Sequence, residues 1–144
     1  MSNLIPFGNG FGKLIKSSGD DYWEGEYNFT ASHKIRIIVE MADERSEFPS
    51  KFQNFIDYTR QQDKAFRLVA ANNLLELYND TWRESEDSAI SETEFAERIK
   101  INSISFDEEK DYVSVYYDDA DLFAGHEIKV DVSFDGTVLK TDLP

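Results

Sequence analysis

The sequence predicts an α+β fold with a mostly antiparallel sheet, and three patterns support this prediction. From His126 to Phe134, apolar and polar residues alternate, as they do in a strand with one buried face. Asp135-Gly136 follows, a dipeptide typical of tight hairpin turns. Alternation also occurs between positions 23 and 41, while apolar residues at helical spacing occupy the middle of the chain. This order predicts a β-meander, three helices and a second β-meander with its hairpin, with the helices grouped on one face of the sheet.

The N-terminal part of the sequence predicts a lead-in and three strands. Residues 1–12 are rich in glycine and are expected to be irregular, and residues 13–16 are expected to form a short first strand. In the second strand, residues 23–29, aromatic side chains alternate with polar ones. The third strand covers residues 34–41. We expect these three strands to form an antiparallel meander with one buried face.

The middle of the sequence predicts three helices. The first is expected at about residues 48–59, and Asp63 either starts a second helix or continues the first. The second, residues 64–82, is apolar on two sides, which is typical of a helix that is covered on both. The third, residues 91–100, begins with a capping box formed by Ser91 and Glu94.

The C-terminal part predicts further strands separated by charged turns. Residues 101–106 and 112–117 are expected to precede the hairpin at 126–139. A chain of 144 residues buries enough surface to fold without disulfides or metal ions. We therefore expect a single domain covering residues 1–144.

The composition excludes several classes of function. There are no cysteines, which excludes disulfides and thiolate metal sites and fits a cytoplasmic protein. No apolar run is long enough to span a bilayer. The net charge of −14 opposes binding to nucleic acids or to membranes, since both are polyanions. A basic protein is the partner that this charge favours, and no cofactor is expected.

Acidic residues are concentrated between Glu84 and Asp121. This window contains thirteen Asp and Glu residues but only three basic ones. Such a window either is simply a solvated surface or recognises a basic protein, which it would attract and orient, with nearby aromatic side chains as anchors. The predicted partner-binding residues are Glu84, Glu86, Asp87, Glu92, Glu97, Asp118, Asp119, Asp121, Trp82 and Tyr117.

His126 is the most prominent candidate for chemistry. It precedes a strand and follows an acidic turn, so a carboxylate such as Asp121 could orient it as a base or join it as a metal ligand. The alternative, which we favour, is a histidine that hydrogen-bonds the neighbouring turn. The other histidine, His33, lies in a polar loop, and two isolated histidines make a weak case for zinc. No catalytic residue and no metal site are predicted.

Two short stretches resemble a group of small acidic bacterial proteins of unassigned function. One is the W-x-G strand at Trp23-Glu24-Gly25. The other is L-F-x-G-H-x-I-x-V followed by D-G, which starts at Leu122 and ends at Asp135-Gly136. Members commonly have an aromatic residue where Ala124 stands. The resemblance implies a protein of the immunity type from a bacterial toxin system, and it implies no catalytic residues.

The sequence thus supports a main hypothesis and two alternatives. The main hypothesis is a non-catalytic bacterial domain that neutralises a basic toxin through its acidic surface. The first alternative is a metal-assisted hydrolase that uses His126 with Asp118, Asp119 or Asp121. The second is a structural or scaffold module, dimeric through a strand edge. The partner and the oligomeric state are left open.

Overall fold

A computed structural model of the chain describes residues 4–6, 13–16, 22–41 and 49–144. These residues form one eight-stranded sheet and two α-helices. The strands are β1 (Leu4–Pro6), β2 (Lys13–Lys16), β3 (Trp23–Thr30), β4 (His33–Glu40), β5 (Lys100–Asp107), β6 (Tyr112–Asp118), β7 (Ile128–Ser133) and β8 (Val138–Asp142). The helices are α1 (Ser50–Leu77) and α2 (Glu92–Arg98), and a π-helical segment (Tyr78–Trp82) follows α1 directly.

The strands lie in the sheet in the same order as in the chain. All neighbouring pairs are antiparallel except β4 and β5, which run parallel with Ile37 opposite Ile104 and Val39 opposite Phe106. A parallel pair needs a long crossover, and here both helices belong to it. The α+β class and the mostly antiparallel sheet agree with the sequence prediction, which did not include the parallel pair.

The prediction of three helices is wrong, because the described residues contain two α-helices. The segments 48–59 and 64–82, predicted as separate helices, are joined in α1 and its π-helical end. The polar residues 60–63 contain no glycine or proline, so nothing in them ends a helix. Asp63 does not start a new helix; its carboxylate accepts a hydrogen bond from Arg67 Nε, one turn later, at 3.0 Å.

The helix α2 begins as the sequence predicts. The Ser91 hydroxyl accepts a hydrogen bond from the Glu94 backbone N–H at 3.1 Å, which satisfies a free donor of the first turn. The Glu94 carboxylate pairs with Arg98 at 3.0 Å, one turn further along. Asn79 fixes the approach to α2, since its side-chain amide bonds the backbone N–H and C=O of Ile90, both at 3.1 Å.

The N-terminal segment differs in part from its prediction. Residues 4–6 form β1, paired with β2, where an irregular lead-in was expected. The strand at residues 13–16 agrees with its prediction. The rest of the lead-in and the turn predicted at residues 17–20 lie outside the described residues.

The core lies between the crossover helices and one face of the sheet. The Phe52 ring of α1 stacks on Phe106 of β5 with centroids 4.5 Å apart. Arg60 of α1 reaches Tyr27 of β3, and its guanidinium donates to the tyrosine hydroxyl at 2.5 Å. On the other face of the sheet, polar residues face solvent in strands β3 and β4. No helix in the described part of the chain combines the length and apolarity needed to cross a bilayer.

Candidate partner-binding surface

The π-helical end of α1 holds Trp82 against the loop between β6 and β7. Phe123 of this loop is fully buried, and its ring meets Tyr78 and Trp82 edge-on with centroids 5.9 and 5.6 Å apart. His126 is exposed, and its ring centroid lies 5.8 Å from that of Trp82. Trp82 itself is half-buried, so part of an aromatic ring remains accessible next to the loop.

Asp119 organises the loop from inside. Its side chain is 1% exposed, and its carboxylate accepts hydrogen bonds from the backbone N–H groups of Asp121 (3.0 Å), Phe123 (2.8 Å) and Gly125 (3.0 Å). The loop needs such support, because three of its non-glycine residues adopt positive φ angles that L-amino acids avoid. These residues are Ala120 (52°), Asp121 (62°) and Ala124 (56°).

We call residues 80–87 and 120–127 the Trp82 surface. It carries six exposed carboxylates, those of Asp80, Glu84, Glu86, Asp87, Asp121 and Glu127. Its one arginine, Arg83, is half-buried and donates to the backbone carbonyls of Asn79 (3.2 Å) and Asp87 (2.5 Å). The surface therefore combines a partly exposed indole with a strong excess of negative charge.

Half of the ten residues predicted to bind a partner belong to the two segments of the Trp82 surface. They are Trp82, Glu84, Glu86, Asp87 and Asp121. Asp118 is also exposed, at the end of β6 and directly before the loop. In the sheet it lies opposite Lys100, which offsets its charge.

The other predicted residues lie elsewhere. Tyr117 and Asp119 are buried, so neither can contact a partner on the surface. The Tyr117 hydroxyl donates to Asp63 at 3.0 Å, and burial, helped by the Asp63 charge, raises its pKa well above the ordinary value. Glu92 is half-buried and accepts a hydrogen bond from Asn72 at 3.4 Å. Glu97 lines a separate pocket.

The acidic window of the sequence does not form one surface. The acids of the β5–β6 turn lie at the far end of the sheet from the β6–β7 loop, since antiparallel strands place successive turns at opposite ends. These residues are Asp107, Glu108, Glu109 and Asp111. Two acids that the sequence analysis did not select, Asp80 and Glu127, belong to the Trp82 surface. Only their proximity to Trp82 and His126 in the sequence could have indicated them.

Among the residues that the structure describes, the Trp82 ring is the side chain in contact with the His126 ring, and no side chain forms a hydrogen bond with it. Asp119 uses both its carboxylate oxygens for backbone N–H groups of its own loop. Within residues 22–41 and 49–144, no three His, Asp or Glu side chains converge as metal ligands do.

Comparison with known proteins places the chain in a family. The model of a family described as "Uncharacterized protein conserved in bacteria (DUF2262)" matches residues 9–143. The chain belongs to this bacterial family. The match spans both stretches on which the resemblance rests, the W-x-G strand and the segment from Leu122 to Gly136. No curated protein and no solved structure matches the chain. The DUF2262 description names no activity.

Proposed function

We propose that the protein is a non-catalytic cytoplasmic domain that binds and neutralises a strongly basic protein, a toxin of the same bacterium, through the Trp82 surface. The observation that supports this proposal is that the two segments joined by the Trp82–Phe123 and Trp82–His126 contacts carry a half-buried tryptophan and six exposed carboxylates. An aromatic side chain supplies contact area at the centre of an interface, and surrounding charges select the partner.

The charge of the whole chain supports the same class of partner. At −14 the protein repels nucleic acids and anionic membranes and attracts cationic proteins from a distance. Attraction of this kind speeds association and weakens when salt screens it. A toxin that acts on nucleic acid carries the positive charge that this surface would bind.

The rigid support beneath the surface also favours binding over chemistry. Trp82 lies on Phe123, and Phe123 lies in the loop that Asp119 holds by three hydrogen bonds. A surface that is ordered before binding loses less conformational entropy when the complex forms.

The test uses the purified product of the gene adjacent to this one as the probe and measures its association rate at low and at physiological salt. We expect fast association that slows with salt. The double variant Glu84→Lys/Glu86→Lys reverses two exposed charges of the Trp82 surface and should slow association about tenfold at low salt.

A matched control reverses two exposed charges at the far end of the sheet, in Glu109→Lys/Asp111→Lys. Both double variants change the net charge by the same amount. A difference between their association rates therefore reports the position of the reversed charges. The proposal is overturned if the neighbour does not bind, or if the two variants slow association by the same factor.

A further inference from the structure

A polar pocket lies between the β3–β4 hairpin and the two crossover helices, and it shares no residue with the Trp82 surface. Its volume is about 260 Å³. This is slightly below the range of pockets that hold drug-sized ligands, so it suits a smaller molecule. The lining residues are Phe29, Thr30, Ser32, His33, Asp63, Arg67, Glu97, Ile99, Lys100 and Ile101.

Arg67 and Asp63 form a fixed pair in this pocket. Arg67 Nε donates to Asp63 Oδ2 at 3.0 Å, and Arg67 Nη1 donates to the Ala96 carbonyl at 2.7 Å. The other oxygen of Asp63 accepts from Tyr117, so its charge is compensated from two sides. The third guanidinium nitrogen, Nη2, has no acceptor among the described residues, which leaves a held cation with a free donor.

His33 is fixed by the neighbouring strand. Its Nε2 lies 2.6 Å from the Ile101 carbonyl oxygen. Because a carbonyl only accepts, Nε2 carries a hydrogen and donates it in this bond. The bond therefore fixes the ring of a histidine that lines the pocket.

Two further charged side chains of the pocket have no close ion pair among the described residues. Lys100 and Glu97 are both exposed, and Asp118 lies opposite Lys100 in the sheet without forming a salt bridge with it. The apolar part of the lining consists of Phe29, Ile99 and Ile101, core residues of which only the edges are exposed, at 5% or less. The pocket thus offers cationic donors, one free carboxylate and an apolar wall.

We propose that this pocket binds a small zwitterion with an apolar side chain, of the chemistry of an α-amino acid. The ligand carboxylate lies against Arg67 and Lys100, and hydrogen bonds to a guanidinium are among the stronger ones in proteins. The ligand ammonium pairs with Glu97. The side chain of the ligand covers the exposed edges of Phe29 and Ile99.

The test compares three probes that differ by one charged group each: L-leucine, 4-methylpentanoate, which lacks the ammonium, and 3-methylbutylamine, which lacks the carboxylate. Two-dimensional amide NMR spectra are recorded during titration to millimolar concentrations. We expect leucine to shift the amide signals of His33, Lys100 and Ile101. Each of the other probes should bind about fivefold more weakly, the factor that corresponds to about 1 kcal/mol for an exposed ion pair.

Two substitutions test which charged side chain of the pocket binds each charged group of the ligand. Glu97→Gln should lower the leucine affinity about fivefold and leave that of 4-methylpentanoate unchanged, while Lys100→Gln should weaken both. Both side chains are exposed, so neither change disturbs the core. Glu84→Gln on the Trp82 surface is the matched control and should change none of the affinities.

Three outcomes would overturn the proposal: no shift at the pocket amides with leucine, equal binding of leucine and 4-methylpentanoate, or leucine binding that Glu97→Gln leaves intact. None of them bears on the proposed function, because the partner test uses other residues and another probe.

Discussion

A single buried carboxylate, that of Asp119, supports the loop on which the Trp82 surface rests. Replacing it in Asp119→Ala leaves three backbone N–H groups without their acceptor, and one of them belongs to the fully buried Phe123. We expect the free energy of unfolding to fall by about 3 kcal/mol, as when buried donors lose their partner. Urea unfolding of the variant measures this change.

The neighbouring Asp118→Ala is the control for this prediction, because Asp118 is exposed. It should change the free energy of unfolding by no more than about 0.5 kcal/mol. Equal losses in the two variants would mean that the hydrogen bonds of Asp119 do not hold the loop.

At the level of single residues, the sequence predicted half of the candidate surface and misassigned some of it. Tyr117 was selected for its proximity to the acidic turn, but alternation in β6 places it on the same side as Val113 and Val115, which is buried. That signal was available in the sequence. For Asp119 no signal was available, since an acid in a turn is ordinarily solvated and only the folded loop brings three N–H groups to it.

Among the elements, α1 departs most from its prediction, because it is continuous where two helices were expected, and this continuity can be tested by substitution. Gln61 is exposed in the middle of α1, at the predicted break. Proline there removes a backbone hydrogen bond and clashes with the preceding turn, so Gln61→Pro should lower the free energy of unfolding by about 3 kcal/mol.

The control, Gln61→Ala, keeps the backbone hydrogen bond and should leave the stability unchanged or slightly raised, which urea unfolding of both variants shows. A chain that tolerated proline at this position would have a break in α1 between residues 59 and 64.

The strands were predicted more accurately than the helices for a physical reason. Alternation over seven or eight residues marks strands such as β3 and β4, and both appear within one residue of the predicted bounds. The predicted break between residues 59 and 64, by contrast, falls on polar residues, which a long exposed helix also contains. The strand β1 is only three residues long and leaves no detectable period. The parallel pairing of β4 with β5 depends on distant segments and has no local signature.

At the scale of the whole molecule, the charge of −14 affects stability as well as binding. The like charges repel one another more strongly in the compact state than in the extended chain, and salt screens this repulsion. Raising NaCl from low concentration to about 0.2 M should therefore raise the free energy of unfolding by about 1 kcal/mol.

Urea unfolding at the two salt concentrations checks this prediction. Glu109→Lys/Asp111→Lys reduces the net charge without touching the core, so the stabilisation by salt should be smaller in that variant. Stabilities that fall with added salt would show that local ion pairs outweigh the overall repulsion.

The single parallel pair also bears on how quickly the native state can be reached. Each antiparallel pair joins strands that are close in the chain. The strands β4 and β5, by contrast, pair across the long crossover that contains both helices, with Arg36 opposite Ser103. Closing that span costs chain entropy before any contact repays it, so the step that docks the two halves of the sheet should limit the rate of folding.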